Sequence, residues 1–410
     1  MTELATEKEG LTDFAVREHR SLWLDAWRRL IANRTAMLGL AIVVIFIITA
    51  VGAHFFWKYD PALDLDYNAK LLQPSLSKTG ETAGIHIFGT DKLGRDIFRR
   101  VVHGGWNSLR VGIIAVAISL IIGGVLGLLS GFFESTNLNR GEEFVITGLL
   151  GLVCGALPAW IANQPVQAVL FLLLGIASAH FNQFLSRNPG LRRGFFGGIG
   201  FLLGGIPGLM VAPLVGLVCG VVGLGIGLLL AKPIGGKSFS SITMRIMDII
   251  LSFPSYLLAI AIVAFLGPGL EKGMIAIGFV GIPIYARLAR SAVLSVSQKE
   301  YVLASQSIGE SHGRILFRHI LPNILSPIIV QSTMGLADAI LSAAALGFLG
   351  LGAIPPEPEW GAMLGDSYKY LSSGAWWAVL FPGLAIMLSV LGFNLLGDGL
   401  RDALDPKMRI

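Results

Sequence analysis

The chain is short of charge and almost without cysteine. Only 14% of its 410 residues are Asp, Glu, Lys or Arg, against roughly 25% in an ordinary soluble domain. A soluble protein of this length needs a polar skin that this composition cannot supply, so a soluble enzyme, a coiled coil and a disordered chain are all excluded. The 2 cysteines, Cys154 and Cys219, sit inside apolar runs and form no CxxC pair. That removes a disulfide scaffold and leaves zinc or dithiol chemistry without support. The net charge of +5 is too mild to point to nucleic acid, and it matches the Lys/Arg excess that membrane proteins carry in cytoplasmic loops.

What the chain has is hydrophobic length. Hydrophobic residues make up 54% of it, and mean hydropathy is +0.71. Its 52 glycines fall largely within apolar runs, as in closely packed transmembrane helices. The class expected is an all-α, polytopic membrane protein. The opening residues are acidic and polar, and the first apolar run starts near Ala36, too late and too long for a cleavable signal.

A crossing helix needs roughly 20 mostly apolar residues. Spans are expected at 36–56, 111–133, 249–266, 273–286, 324–351 and 376–396. Residues 1–35 form a basic amphipathic segment, with Arg28, Arg29 and Arg34 beside Trp23 and Trp27, read as a helix on the cytoplasmic surface with its aromatics among the headgroups. The first two core spans occupy 36–133, with a polar outer loop at 58–106. Residues 237–410 hold the other four, a polar segment at 287–322 and a charged tail. Lys and Arg place the N-terminal segment, 287–318 and the tail (Arg401, Lys407, Arg409) on the cytoplasmic side. The outer loop, with Lys92, Arg95, Arg99 and Arg100, runs against that rule, although Asp91 and Asp96 lie alongside.

Residues 134–236 are an inserted hydrophobic block with apolar runs at 144–161, 165–185 and 194–231. Pro207 and Pro213 divide the last run, which gives four further spans. An even count keeps both ends cytoplasmic, puts Arg187, Arg192 and Arg193 inside, and brings the total to ten. Two spans with a re-entrant glycine-rich hairpin is the alternative. At its end, Ala231 to Ser238 satisfies a relaxed phosphate-loop pattern, but a glycine-rich apolar run precedes it where a strand belongs, and Pro233 removes one N–H. Lys232 and Lys237 read instead as its cytoplasmic edge. The spacing of Gly123, Gly127 and Gly131 reads as a helix-packing stripe.

Several polar segments stand out. Residues 300–323 keep Val302, Ile308, Ile315 and Leu316 at helical spacing, broken at Gly309, with Pro322 opening the next span. This is a short helix, a close turn and a second helix; it suits docking into a partner's groove or lying on the bilayer. In the outer loop Asp91, Arg95 and Asp96 surround Gly94 at a spacing that would cap a surface helix and pair internally; a partner contact is the other reading. Pro355–Trp360 is stiff, and Trp360 is expected at the membrane interface. Asp338 lies inside a span, where a carboxylate costs about 2.5–3.5 kcal/mol, so it must face the bundle or a wet path. His54 and His180 have no second ligand nearby and read as span-end or packing residues.

These segments together carry a resemblance. Leu303-Ala304-Ser305, then Gly309, then Leu321-Pro322 is similar to the EAA motif of binding-protein-dependent ABC importer permeases, with Leu303, Ser305 and His319 departing from it. The run from Phe88 through Gly89, Thr90, Asp91, Lys92, Leu93, Gly94 and Arg95 to Asp96 resembles the GTDxLGRD signature of dipeptide, oligopeptide and nickel permeases. Leu346 to Gly352 with Pro355-Pro356 and Pro358 to Gly361 resembles their LGFLGxGxxPPxPEWG segment. Phe393 to Pro406 and Asn33 to Gly39 also fit, so the likeness covers the chain outside the block and is nearest to the second, C-type, dipeptide permease subunit.

The resemblance implies a type I ABC importer permease fold of six core helices in a bacterial inner membrane, with both termini cytoplasmic. It implies no covalent chemistry and no cofactor on this chain. It implies a second permease subunit, two ATPase subunits that carry ATP and Mg, and an extracytoplasmic peptide-binding protein. Leu303, Ala304, Ser305, Ile308, Gly309, Leu321 and Pro322 would form the ATPase-coupling loop, driving alternating access for a di- or oligopeptide. Nickel, glutathione or another small solute is the alternative within the family. An ATP-independent secondary transporter is the alternative outside it, and it should show matching halves, which this sequence lacks.

Overall fold

The computed structural model describes residues 22–60, 64–76, 85–135, 198 and 236–404. The interior of the inserted block, with its expected spans, His180, both cysteines and residues 231–235 of the phosphate-loop look-alike, lies outside these. The described residues are helical, and the one β-type pairing among them is the isolated bridge between Thr90 and Asp96. In chain order the helices are α1 (Leu22–Ala32), α2 (Arg34–Phe56), α3 (Ile97–Ser135), α4 (Gly236–Ser252), α5 (Ser255–Leu266), α6 (Leu270–Ser297), α7 (Glu300–Ser307), α8 (His312–Phe348), α9 (Trp360–Ser367) and α10 (Trp377–Leu404). Five of them are long and apolar enough to cross a membrane, or six if α4 and α5 form one broken span. This is a polytopic membrane fold.

The sequence-based boundaries need three corrections. The span expected at 249–266 is not one rod: the chain bends by 89° between α4 and α5. Pro254 lacks an N–H and pushes Phe253 out of the helical region, and its carbonyl then accepts from Leu258 N to start α5. The outer loop does not run to residue 106, because α3 begins at Ile97, where Asp96 Oδ1 accepts from Arg99 N at 2.9 Å. The polar segment after 286 begins as helix, since α6 continues to Ser297. Hydropathy marks where a helix meets lipid, whereas hydrogen bonding lets it run on into water.

The chain divides into two compact units, residues 1–116 with 325–410, and residues 117–324. In the first, Val43, Ile97, Ile340, Trp360, Trp377 and Phe393 belong to one buried core. A Cβ on Gly39 of α2 would collide with the α10 backbone at Leu396, so α2 and α10 cross at close range. In the second unit, Gly123, Gly127 and Gly131 of α3 face Ile282, Ala286 and Arg290 of α6, each glycine meeting a backbone carbonyl of the other helix. Both sets advance by four residues, so the glycine spacing read from the sequence is the register of this helix pair.

Candidate functional site

The turn between α7 and α8 lies in the second unit. α7 ends with Gly309 N donating to Gln306 O at 3.0 Å and Glu310 N donating back to Ser305 O at 3.1 Å. Gly309 has φ +78°, the left-handed conformation that ends helices most cheaply in glycine. The Glu310 carboxylate then lies 3.0 Å from His319 Nε2 and 3.8 Å from Arg314 Nε, tying the turn to the first turns of α8. There α8 widens into a π-helical stretch at Ile315–Ile320, and Leu321 N reaches back to Leu316 O. The cause is Pro322, which has no N–H and whose ring would strike the carbonyl four residues earlier.

The side chains of this turn sort into two sets. Val302, Ile315, Leu316 and Ile320 are buried. Ile308, expected on the same apolar face, is instead 83% exposed, because the left-handed turn at Gly309 swings it outward. Leu303, Tyr301 and Phe317 are also exposed, and Ala304 with them. Ser305 and Ser307 fold their hydroxyls onto Tyr301 O and Leu303 O, so the outer face is apolar. Leu321 is half-buried and Pro322 exposed at the far edge.

The outer-loop residues gather in the first unit, with the helix cap and internal pairing the spacing predicted. Asp91 Oδ1 accepts from Leu93 N at 2.9 Å and Arg95 N at 3.0 Å, while Arg95 Nε donates to Asp91 Oδ2 at 2.6 Å. This pair is not on a surface, however: both residues are buried. Gly94 (φ +78°) lies so close to Asp66 that any Cβ would overlap its carbonyl. Thr90 bonds Ala69 O and accepts from Leu72 N, and Gly89 O accepts from Ile97 N. Trp377 Nε1 of α10 donates to Thr90 O at 3.1 Å. Asp96 also holds His86 Nδ1 at 2.8 Å. The segment is therefore a latch that ties the loop to α3 and α10.

Contacts missed by sequence reasoning sit beside it. Lys92 Nζ pairs with Asp366 Oδ1 of α9 at 2.8 Å. Trp360, expected at the interface, is buried: its Nε1 donates to Val101 O at 2.8 Å and its ring lies over Gly104 and Gly105. The adjacent glycines on α3 were the available signal. Glu359 is 1% exposed and caps α9, accepting from Gly361 N and Ala362 N at 2.8 Å each. Burial raises its carboxyl to about 7, against the smaller opposing effect of those two N–H groups.

Asp338 is exposed on α8 between the buried Ala337 and Ala339. No hydrogen bond or ion pair holds it among the described residues. On the same face, Leu341 and Ala345 follow at i+3 and i+7 and line an apolar groove of about 600 Å³, with Met387, Leu391 and Asn394 of α10 opposite. His54 ends α2 in a packing role, stacked on Trp106 at 4.3 Å.

Comparison with known proteins agrees with this architecture. The family model described as binding-protein-dependent transport system inner membrane component matches residues 223–410. The one described as N-terminal TM domain of oligopeptide transport permease C matches residues 21–74. The dipeptide transport system permease protein DppC of Alkalihalophilus pseudofirmus is 39% identical over 389 residues, 95% of this chain and 91% of that protein. The di/tripeptide transport system permease protein DppC of Pseudomonas aeruginosa is 36% identical over 385 residues, 94% and 92% of the two chains. The glutathione transport system permease protein GsiD of Pectobacterium atrosepticum is 32% identical over 390 residues, 95% and 93%. Near-complete coverage at such identity, on a helical multi-span fold, makes this chain a C-type permease subunit of the dipeptide/oligopeptide/nickel family of ABC importers.

Proposed function

We propose that this permease imports dipeptides or oligopeptides by alternating access, driven by separate ATPase subunits that bind ATP and Mg, with a second permease subunit and an extracytoplasmic binding protein completing the assembly. The dipeptide and di/tripeptide names of its relatives support the substrate class. Glutathione, itself a small peptide, is the alternative raised by another relative. The Lys and Arg distribution supports cytoplasmic termini and a cytoplasmic α7–α8 turn.

The observation that carries this reading is the apolar face at that turn. Leu303, Ile308 and Phe317 stand exposed around a left-handed glycine in the turn between α7 and α8. They suit a groove on the ATPase, which would push α8 through the Glu310–His319 tie. The test is Ile308→Glu and Gly309→Val in the assembled transporter. Peptide-stimulated ATP hydrolysis and uptake should both fall at least tenfold while the permease still folds. Retention of both activities would refute the coupling role.

Within the span, Asp338 is the proposed contact for the peptide's terminal ammonium, which every free peptide carries. Lipid exposure would be costly for this carboxylate, so its open face belongs on a wet path. Asp338→Asn should raise KM for free peptides several-fold and leave any uptake of N-acetylated peptide unchanged. Equal effects on both substrates would remove Asp338 from recognition.

A further inference from the structure

α1 has two unlike faces. Ala26 and Leu30 are buried in a small cluster with Ala36 of α2 and Ala403 of α10, backed by Leu400 and Leu404. Leu24, Trp27 and Ile31, spaced i, i+3 and i+7, form a second apolar row on the outside, 48%, 51% and 47% exposed. Arg28 sits at the edge of that row, and Arg34 follows at the start of α2; both are exposed, and neither has a carboxylate partner among the described residues.

The position of this face is fixed. A single residue, Asn33, separates α1 from α2. Its N–H bonds Arg29 O and Leu30 O, and its Oδ1 accepts from Thr35 N and Ala36 N. α2 is a membrane span whose own outer residues, Leu38, Ile45 and Ile48, are exposed apolar side chains. α1 is therefore held within one residue of the span's end, at the level of the lipid headgroups. A row of Leu, Trp and Ile edged by unpaired arginines matches that layer in polarity, and its charge is opposite to that of anionic phospholipids.

We infer that the Leu24–Trp27–Ile31 row of α1, with Arg28 and Arg34, is a docking surface for anionic phospholipid headgroups. The lipid so bound would clamp α1 onto the last turn of α10 from outside. The test places p-benzoylphenylalanine at position 27 or, separately, at position 31 in the full assembled transporter. The complex is reconstituted in nanodiscs of seven parts phosphatidylcholine to three parts phosphatidylglycerol, irradiated, and its adducts are identified by mass. Lipid adducts should form at both positions, with phosphatidylglycerol enriched at least twofold over its share of the bilayer. Arg28→Gln with Arg34→Gln should return that ratio to the bulk value. Adducts in bulk proportion, adducts to a protein partner, or no adduct at either position would each overturn the inference.

Discussion

Glu359 offers a sharp test of the packing around α9. Its carboxyl is 1% exposed, faces two backbone N–H groups, and sits against Gly347 and Gly352 at the end of α8. Desolvation outweighs the two hydrogen bonds and raises the group from an ordinary 4.5 to about 7. A carboxyl raised in this way binds its proton more tightly in the folded state than in the unfolded one. Its stabilising contribution is complete below about pH 4.5 and is lost as pH rises through about 7. Over that window the loss is roughly 3 kcal/mol, at 1.36 kcal/mol per pH unit. Glu359→Gln imitates the protonated acid and keeps one acceptor for the cap, so it should remove this dependence. The assay is thermal unfolding of the purified protein in detergent from pH 4.5 to 8.5, followed by tryptophan fluorescence and read as the difference between parent and variant. The parent should match the variant at the acid end and fall progressively below it toward pH 8. A difference that stays flat, or a parent that gains on the variant as pH rises, would refute the assignment of burial as the dominant influence on this carboxyl.

Three other perturbations test the scaffold. Arg95→Leu removes the nearer of two cations from the buried Asp91 carboxylate and leaves it Arg100 Nε at 3.8 Å, so the cost should fall short of the roughly 3–5 kcal/mol of a fully stranded buried charge, seen as a lower unfolding midpoint. Gly127→Val drives a branched side chain into the α6 backbone at Ala286, with overpacking of roughly 1–3 kcal/mol or more; the yield of monodisperse protein on size exclusion should drop sharply. Gly124→Val, whose Cβ would meet only Leu120 at 3.6 Å, should leave that yield largely intact.

The parts of this protein legible in sequence were those with one-dimensional causes. A run of apolar residues must be a helix in lipid, so the six core spans fall on helices among the described residues, the one at 249–266 broken at Pro254, while the four expected in the block lie outside them. The left-handed residue at Gly309, the cap at Asp96 and the Asp91–Arg95 pairing follow from local spacing, and they stand where the pattern put them. The α3 stripe was legible because only glycine allows two backbones to approach this closely. Features that depend on distant partners were not. Trp360 has the sequence signature of an interfacial residue, yet it is buried because Gly104 and Gly105, more than 250 positions earlier, leave room for its ring. Ile308 fits a core-facing period, yet a single reversal of φ after it turns it outward.

The sequence by itself settled composition, class, the span-forming segments among the described residues and membership of the permease family, because hydropathy and local turn chemistry are written along the chain. Only the tertiary structure decided which face of each helix is covered, where Pro254 breaks a span, and that Glu359 loses its water. Burial and desolvation are set by whatever packs opposite, and residues far apart in the chain supply it.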